Sequence, residues 1–330
     1  MRLSMFSAAI LVLMSACGGG GGGGEIPIGP TSPLPITASN YQAVAQQTVT
    51  ATVFVMDSGS FVTGAEMAPD ARVLMAFGRQ QIGRLPALFA ASVRQVTGVV
   101  TTETQACTGG GSITGTVSDL NGNQAVDAGD SATLVASNCV ELGATINGNV
   151  SIEFRAVSGD LNSSNYSASV AMTMSNLRAA TGAGNVTGNG NITLSLVGSG
   201  PGSGSLDMRI GSLSMAGQIG GTNDTLTLQD WRITSATAPS GNLTTTSSTV
   251  SGTFVSQSLG SQSVTLATVS PFVQRSDNLY PNTGQLTATG AAGSKVRLTV
   301  QNAGAVLIEL DADGNNVYET SVTRLWSELR

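Results

Sequence analysis

Residues 192–210 read ITLSLVGSGPGSGSLDMRI, two apolar–polar alternations on either side of a glycine- and proline-rich centre. In 192–196, and again in 206–210, every second residue is apolar, which is the period of a half-buried β-strand. Gly200, Pro201 and Gly202 lie between the two segments and favour a tight turn. The stretch therefore predicts an antiparallel β-hairpin with one apolar face and one polar face.

The same alternation recurs along most of the chain after residue 99. It is found at 150–154, 170–174, 226–228, 231–233, 264–266, 296–300 and 306–310. Candidate turns lie at Asn147-Gly148, Gly188-Asn189-Gly190, Gly220-Gly221, Ser240-Gly241 and Gly290-Ala291-Ala292-Gly293. One face of each segment is apolar and the other carries Thr, Ser or Arg, which is typical of antiparallel strands with one solvated side. Residues 99–330 are thus predicted to form an antiparallel β body of about ten or more strands.

Two segments before residue 99 have helical patterns. In 37–56, apolar residues recur at helical spacing after a capping signal. In 69–97, Pro69 suits the first turn, Pro86 should break or kink the helix, and Gly98 suits its end. The second helix has a basic side and could lie on a membrane, but packing against the sheet is the preferred interpretation.

A sheet this large cannot stay flat with its apolar face in water. It must close into a barrel, fold into a sandwich, or curl around something apolar, which the helical segment 37–98 can supply. The predicted fold is mainly β with N-terminal helices: a large curved antiparallel sheet, half-barrel or sandwich-like, packed on one or two helices. Met172, Met174, Met208 and Met215 are then core residues, with the lining of a hydrophobic ligand site as the alternative.

The composition excludes several classes of function. Only 10% of residues are charged, Lys295 is the one lysine and there is no basic run, so nucleic acid is not an expected partner. The chain has no histidine, which removes His–carboxylate catalytic pairs and histidine-ligated metals. No nucleophile elbow or convincing phosphate-binding loop is present. The protein is therefore expected not to be an enzyme.

The first residues have the organisation of an export signal. Arg2 precedes an apolar stretch too short to span a bilayer, and the segment ends in Leu13-Met14-Ser15-Ala16-Cys17. This ending resembles the lipobox of bacterial lipoproteins, with Met where Leu is usual. The resemblance implies that residues 1–16 are a signal peptide and that Cys17 is acylated, for example with palmitate. An ordinary secretory signal peptide is the alternative.

A flexible tether is predicted after the acylated cysteine. Seven glycines follow Cys17, and a proline-rich stretch continues to residue 36, so residues 17–36 cannot bury enough surface to fold. This arrangement is similar to the tethers of many Gram-negative lipoproteins. Gly rather than Asp after the lipidated cysteine fits sorting to the outer membrane in that class. The expected location is the cell outer membrane, with the lipid-anchored body in the periplasm or at the surface.

Cys107 and Cys139 are the other two cysteines. An exported protein with one pair of cysteines in its body usually joins them, because that compartment oxidises thiols. Two cysteines without histidine cannot complete a zinc site, and there is no Cys-x-x-Cys spacing for a redox role. A structural disulfide that closes a loop of about 33 residues is expected.

Inside that loop lies a possible calcium site. Asp119, Asn121, Asn123, Asp127 and Asp130 place oxygen-bearing side chains at positions 1, 3, 5, 9 and 12 of a twelve-residue stretch. With the carbonyl of Ala125 at position 7, this is the EF-hand spacing, and it resembles the calcium loop of dockerins. Position 6 is Gln rather than Gly, and no convincing helix flanks the loop. The spacing predicts a Ca²⁺ site, with an Asp/Asn/Gly turn between strands as the alternative.

A second near-match has oxygen-bearing side chains at positions 1, 3, 5 and 9. These are Asp311, Asp313, Asn315 and Glu319. Position 12 is Val322, which cannot ligate through its side chain, so this is the weaker candidate, with the same turn alternative. In either loop a bound ion would stiffen the loop.

The leading function is a non-enzymatic, membrane-anchored envelope lipoprotein that binds an amphiphilic or hydrophobic ligand, or another envelope component. Curved-sheet lipoproteins that hold acyl chains in a cavity beside helices supply the analogy, which rests on the predicted architecture. The alternative is a structural or adhesive surface protein with a fully packed core and calcium-stiffened loops. An apolar cavity on the order of several hundred Å³ between helix and sheet would favour ligand binding.

Overall fold

The computed structural model describes residues 31–56, 72–91, 99–182, 184–219 and 222–329. Cys17, the predicted signal peptide, Pro69 and Gly98 lie outside these residues. Two α-helices, α1 (Tyr41–Met56) and α2 (Arg72–Ala91), come before fourteen β-strands. No helix in the described part of the chain has the length and apolarity needed to cross a membrane.

The strands form a single open sheet. Each pairs antiparallel with the next, so the order in the sheet is the order in the chain and the sheet does not close. The strands are β1 Val99–Ala106, β2 Ser112–Asp119, β3 Ser131–Glu141, β4 Ala144–Gly159, β5 Asn165–Thr181, β6 Gly184–Gly200, β7 Ser203–Ile219, β8 Thr222–Ser240, β9 Leu243–Ser256, β10 Gln262–Arg275, β11 Thr283–Thr289, β12 Lys295–Asn302, β13 Ala305–Asp311 and β14 Thr320–Leu325. The mainly β fold with N-terminal helices is confirmed.

The hairpin predicted from residues 192–210 is formed by β6 and β7. It pairs Leu194 with Met208 and Leu196 with Leu206, so the apolar residues of both strands share one face. The segments 226–228 and 231–233 belong to the single strand β8. A register shift at Asp230, whose φ is 48°, separates them.

Two of the predicted turns are interior positions of long strands instead. Asn147-Gly148 lies within β4 and Gly188-Asn189-Gly190 within β6. Next to each, two residues of one strand oppose one residue of its neighbour, which is a β-bulge. The bulge residues Asn138 and Asn176 have φ of 48° and 49°. Their N–H groups donate to the side-chain oxygens of Asn147 and Asn189, at 2.8 and 2.7 Å. Asparagine and glycine here shape bulges rather than turns.

Both helices lie within their predicted segments, but α2 does not end at its proline. It runs through Pro86 without interruption, so the prediction of a break there is wrong. Proline removes one helical hydrogen bond. The flanking residues Leu85, Leu88 and Phe89 are fully buried and hold the helix in place on both sides of it.

The helices lie on the apolar face of the sheet. α1 contacts β8, β9, β11, β12 and β13, and α2 contacts β2, β4 and β5. A Cβ added at Gly78 of α2 would come within 2.8 Å of the Met172 sulfur, and one added at Gly188 within 2.9 Å of Leu74. Helix and sheet are therefore closely packed at these points. The four methionines predicted as core residues are buried: Met172, Met174, Met208 and Met215.

The sheet must curve for this packing to exist. Fourteen strands spaced about 4.8 Å apart would make a flat sheet about 62 Å wide, whereas a helix with its side chains is about 10–12 Å wide. One contiguous apolar core nevertheless contains residues of both helices and of strands from β2 to β13. Two helices can cover so many strands only if the sheet curls around them.

The strands run up and down between two ends of the sheet. We call proximal the end with the β9–β10, β11–β12 and β13–β14 turns, and distal the end with the β2–β3, β4–β5 and β6–β7 turns. Residues 31–36 lie at the proximal end: Leu34 N–H donates to the Ser263 carbonyl at 2.9 Å, and Ala291 N–H to the Leu34 carbonyl at 2.8 Å. Leu34 and Ile36 are buried. These residues, assigned to the tether from the sequence, are part of the folded body.

Gly148→Ala should lower the free energy of unfolding by about 2 kcal/mol more than Gly143→Ala. Both glycines have positive φ, 117° and 72°, so both substitutions carry the backbone cost of that conformation. Only at Gly148 would the new Cβ also lie 2.3 Å from a backbone oxygen, that of Asn176, while Gly143 has nothing within 4 Å. Urea unfolding of the two variants measures the difference, and equal losses would contradict the role given to Gly148.

Candidate functional site

The loop between β2 and β3, residues 119–130, folds around its first aspartate. Asp119 is buried and accepts hydrogen bonds from backbone N–H groups three and five residues later, at 2.7 and 2.8 Å. Asn121 and Asn123 each accept one from the N–H two residues later, at 3.0 and 2.8 Å; the second donor is Ala125, whose carbonyl is the predicted position 7. The loop backbone is thus wound about these three side chains.

The loop contains three carboxylates, those of Asp119, Asp127 and Asp130, whose oxygens do not all lie within 4.8 Å of one another. Asp130 is buried and accepts N–H bonds from Leu120 and Asp127 at 3.0 and 2.7 Å. Burial, and then the charges of Asp119 and Asp127, raise the pKa of Asp130, and its two N–H bonds offset only part of this. Among the described residues no lysine or arginine forms a salt bridge with the loop.

The asparagine side chains face the third carboxylate. Asn121 and Asn123 both donate to Asp127 Oδ2, at 2.9 and 2.6 Å. The five predicted ligands therefore belong to one hydrogen-bonded loop. The carboxylates of Asp119 and Asp130 point at backbone N–H groups, and Asp127 is held by the amides.

The loop between β13 and β14 has the same frame. Asp311 is buried and accepts N–H bonds from residues three, four and five positions later, at 2.8, 3.1 and 2.8 Å. Asp313 and Asn315 each accept one from two positions later, at 3.1 and 2.6 Å. Glu319 accepts the Ala312 N–H at 3.0 Å, as Asp130 does for the equivalent N–H in the first loop. Carboxylate oxygens of Asp311, Asp313 and Glu319 lie within 4.8 Å of one another.

The backbone conformation explains why position 6 need not be glycine. Positions 4 and 6 have positive φ in both loops: 67° and 66° at Gly122 and Gln124, and 76° and 70° at Gly314 and Asn316. Gln124, the departure from the EF-hand pattern, takes the conformation that glycine would have. The two sequence matches therefore share a backbone shape as well as a spacing.

Charge separates the two loops. The ammonium of Lys295, on β12, lies 3.5 Å from Asp311 Oδ2 and donates to Asn316 Oδ1 at 2.6 Å. Burial alone would raise the pKa of Asp311, but N–H bonds and the charge of Lys295 outweigh it and hold the pKa below its usual value. A lysine thus offsets part of the charge of the second loop, whereas the first has no lysine or arginine partner among the described residues.

Cys107 and Cys139 form the predicted disulfide, with Cα atoms 5.4 Å apart. The bond joins the β1–β2 turn to β3 at the proximal end of the sheet. Beside it, Glu141 is buried and pairs with Arg84 of α2 at 2.8 Å. This ion pair, which the sequence analysis missed, ties the helix to the same strand.

A cavity of about 290 Å³ opens at the distal end of the sheet. Its walls are the β4–β5 turn, the β6–β7 turn and the inward face of β5 to β8. The side chains that define it are Leu161, Tyr166, Leu196, Leu206, Ser235 and Thr237, and none of the described residues that line it is charged or belongs to a helix. The sequence analysis took a cavity between helix and sheet as the sign of ligand binding and a fully packed core as the sign of a structural protein; this cavity lies beyond the helices.

A signal for the cavity is present in the sequence. Gly198 and Gly204 occupy inward-facing positions on either side of the β6–β7 turn and pair with each other. They continue the apolar alternation of 192–196 and 206–210 with residues that have no side chain. The Tyr166 ring lies over Gly198, and the space beside the ring is part of the cavity.

No protein-family model matches the chain, and the comparisons with curated proteins and with solved structures found no match. Its function therefore has to be argued from the sites themselves.

Replacing both body cysteines, as Cys107→Ser with Cys139→Ser, should lower the free energy of unfolding by roughly 3–4 kcal/mol, because the open chain gains entropy when unfolded. Urea unfolding under oxidising conditions measures the loss, and a reductant should bring the wild type to the same midpoint. Cys17→Ser is the control that leaves the disulfide in place. Two free thiols in the exported wild-type protein would contradict the assignment.

Proposed function

We propose that this protein is a non-enzymatic lipoprotein, held in the outer membrane by acylation of Cys17, whose body binds a hydrophobic or amphiphilic ligand. The observation that carries the ligand-binding part is the uncharged distal cavity of about 290 Å³. Pockets for small molecules are concave, mostly apolar and furnished with a few polar groups, and this cavity meets that description at the small end of the range.

The anchor is supported by the N-terminal sequence and by where the folded body begins. The lipobox-like ending at Cys17 is followed by glycines and prolines up to residue 30. Residues 31–36 are then fixed to the proximal end of the sheet. The distal cavity lies at the opposite end of the strands, and a 17-residue strand such as β5 spans about 55 Å. An anchored body would therefore present its cavity away from the point of attachment.

Packing limits where a ligand could enter. At the glycine contacts between α2 and the sheet no space is left for even one added carbon, because side chains lie within 2.8 and 2.9 Å of it. At the distal end, none of the described residues that line the cavity belongs to a helix. We therefore propose that a ligand binds at the distal end, away from the helices.

The second candidate function is a structural or adhesive surface protein with a calcium-stiffened loop. The observation that favours it is the 119–130 loop, where the charges of Asp119 and Asp127 help to raise the pKa of Asp130 and no lysine or arginine among the described residues forms a salt bridge. A divalent cation would relieve that repulsion. In the 311–319 loop, Lys295 already offsets part of the charge of three clustered carboxylates. We therefore propose calcium for the first loop, where no lysine or arginine among the described residues forms a salt bridge.

Cys17→Ser should move the protein from the membrane fraction to the soluble fraction and abolish incorporation of labelled palmitate. The reason is that a single cysteine carries the whole anchor. Cell fractionation and labelling measure both effects, with Cys107→Ser as a control that keeps Cys17. A wild-type protein that takes up no label and fractionates as soluble would refute the anchor.

Millimolar calcium should raise the melting temperature by a few degrees. With a dissociation constant near the 10⁻³ M of extracellular modules, 10 mM calcium stabilises the folded state by about 1.4 kcal/mol. Asp127→Asn should remove the shift, since it discharges the one carboxylate that binds no backbone N–H in the loop. The matched variant in the second loop, Asp313→Asn, should keep it. If the melting temperature of the wild type does not change with calcium, the calcium site is contradicted, and both loops are then simply turns between strands.

A further inference from the structure

The distal cavity exists because of an unusual row across the sheet. Inward-facing Tyr166, Gly198, Gly204 and Thr237 pair in turn across β5 to β8. The two central positions have no side chain, and the Tyr166 ring lies over Gly198, 2.7 Å from where a Cβ would stand. The trough is the space that remains between this ring and Thr237.

The floor of the trough is apolar at its centre. The next row inward consists of Ala168, Leu196, Leu206 and Ser235, paired in the same order. All four are buried. Beyond them comes a row of larger apolar residues, Val170, Leu194, Met208 and Ile233, which closes the trough toward the helices. The cavity is thus blind at its inner end and open at the distal end.

Tyr166 forms one wall. A Cβ added at Gly198 would lie 2.7 Å from its ring, so the ring stands directly beside the bare glycine. Burial raises the pKa of the Tyr166 hydroxyl. No described residue forms a hydrogen bond with that hydroxyl, which leaves it available to a ligand.

Charge at the mouth disfavours an anion. The lining offers hydroxyl groups from Tyr166, Ser235 and Thr237 but no lysine or arginine. The turn that forms one side of the mouth contains Asp160, and the whole chain carries a net charge of −6. A carboxylate or phosphate placed here would lose hydration without gaining a cation.

We propose that the distal cavity binds the end of an uncharged single-chain amphiphile, such as a fatty alcohol or a monoacylglycerol, with its chain on the leucine floor and its hydroxyl at the rim. The inference rests on the proposed ligand-binding function and names the ligand class. At about 30 Å³ for each non-hydrogen atom, a cavity of about 290 Å³ takes roughly ten of them. A chain of about ten carbons is therefore the appropriate probe.

Isothermal titration calorimetry with 1-decanol and decanoate tests this on the full chain carrying Cys17→Ser, so that no detergent competes. Decanol should bind at least tenfold more tightly than decanoate. Ser235→Leu, which fills the cavity, should abolish decanol binding, whereas Ala236→Leu, on the opposite face of the same strand, should not change it. Tyr166→Phe keeps the wall and should weaken decanol about two- to tenfold by removing the hydroxyl.

The titrations can overturn the ligand class, the site or the proposed ligand binding separately. Equal binding of decanol and decanoate would overturn the uncharged ligand class and leave the proposed ligand binding standing. Binding of neither would overturn both. Decanol binding that survives Ser235→Leu, in a variant whose unfolding matches the wild type, would place the ligand elsewhere and overturn this site. If Ser235→Leu fails to fold, an unchanged affinity in Tyr166→Phe overturns it instead.

Discussion

Burial of one apolar sheet face is the constraint on which the structure depends. Exposing the apolar face of fourteen strands to water would be unfavourable in free energy. Only two α-helices in the described part of the chain are available to cover that face. The apolar face is buried because the sheet curves and because the helices pack closely against it. Glycines at Gly78 and Gly188 let the helix backbone and the sheet come together, and the strands bend until β2 to β13 share one core with the helices. The cavity lies at the distal end of the sheet, where none of the described lining residues belongs to a helix.

The sequence predicted the elements that depend on local periodicity and missed those that depend on neighbours. Alternation of apolar and polar residues has the same meaning in any antiparallel strand, so the hairpin at 192–210 and the buried methionines were predicted correctly. Asn147-Gly148 was read as a turn because asparagine and glycine favour turns for conformational reasons. The same conformational freedom serves a bulge, and the choice depends on Asn138 and Asn176 in adjacent strands. The break predicted as one outcome at Pro86 is absent for a similar reason, since packing on either side of the proline outweighs one lost hydrogen bond.

The same distinction, between local sequence patterns and features that depend on neighbouring strands, applies to the candidate sites. The disulfide followed from counting cysteines in an exported chain, and its geometry agrees. Both acidic loops were found by spacing, yet spacing could not distinguish them, because the difference is Lys295 on a neighbouring strand. The cavity was missed: the glycines at 198 and 204 are visible in the sequence, but the side chains that border the cavity come from four strands and are brought together only by the pairing of those strands.

The attachment of residues 31–36 has a mechanical consequence. Any tension applied through the preceding chain enters the sheet at Ser263 and at the β11–β12 turn, through backbone hydrogen bonds at Leu34 and the buried side chains of Leu34 and Ile36. These points lie on interior strands, each of which is paired on both sides. Load is therefore shared among neighbouring strands and does not pull on the edge strands β1 and β14, where a sheet can be peeled apart one hydrogen bond at a time. A body attached in this way would resist unfolding under tension, because the preceding chain is fixed to interior strands of the sheet and not to an edge strand.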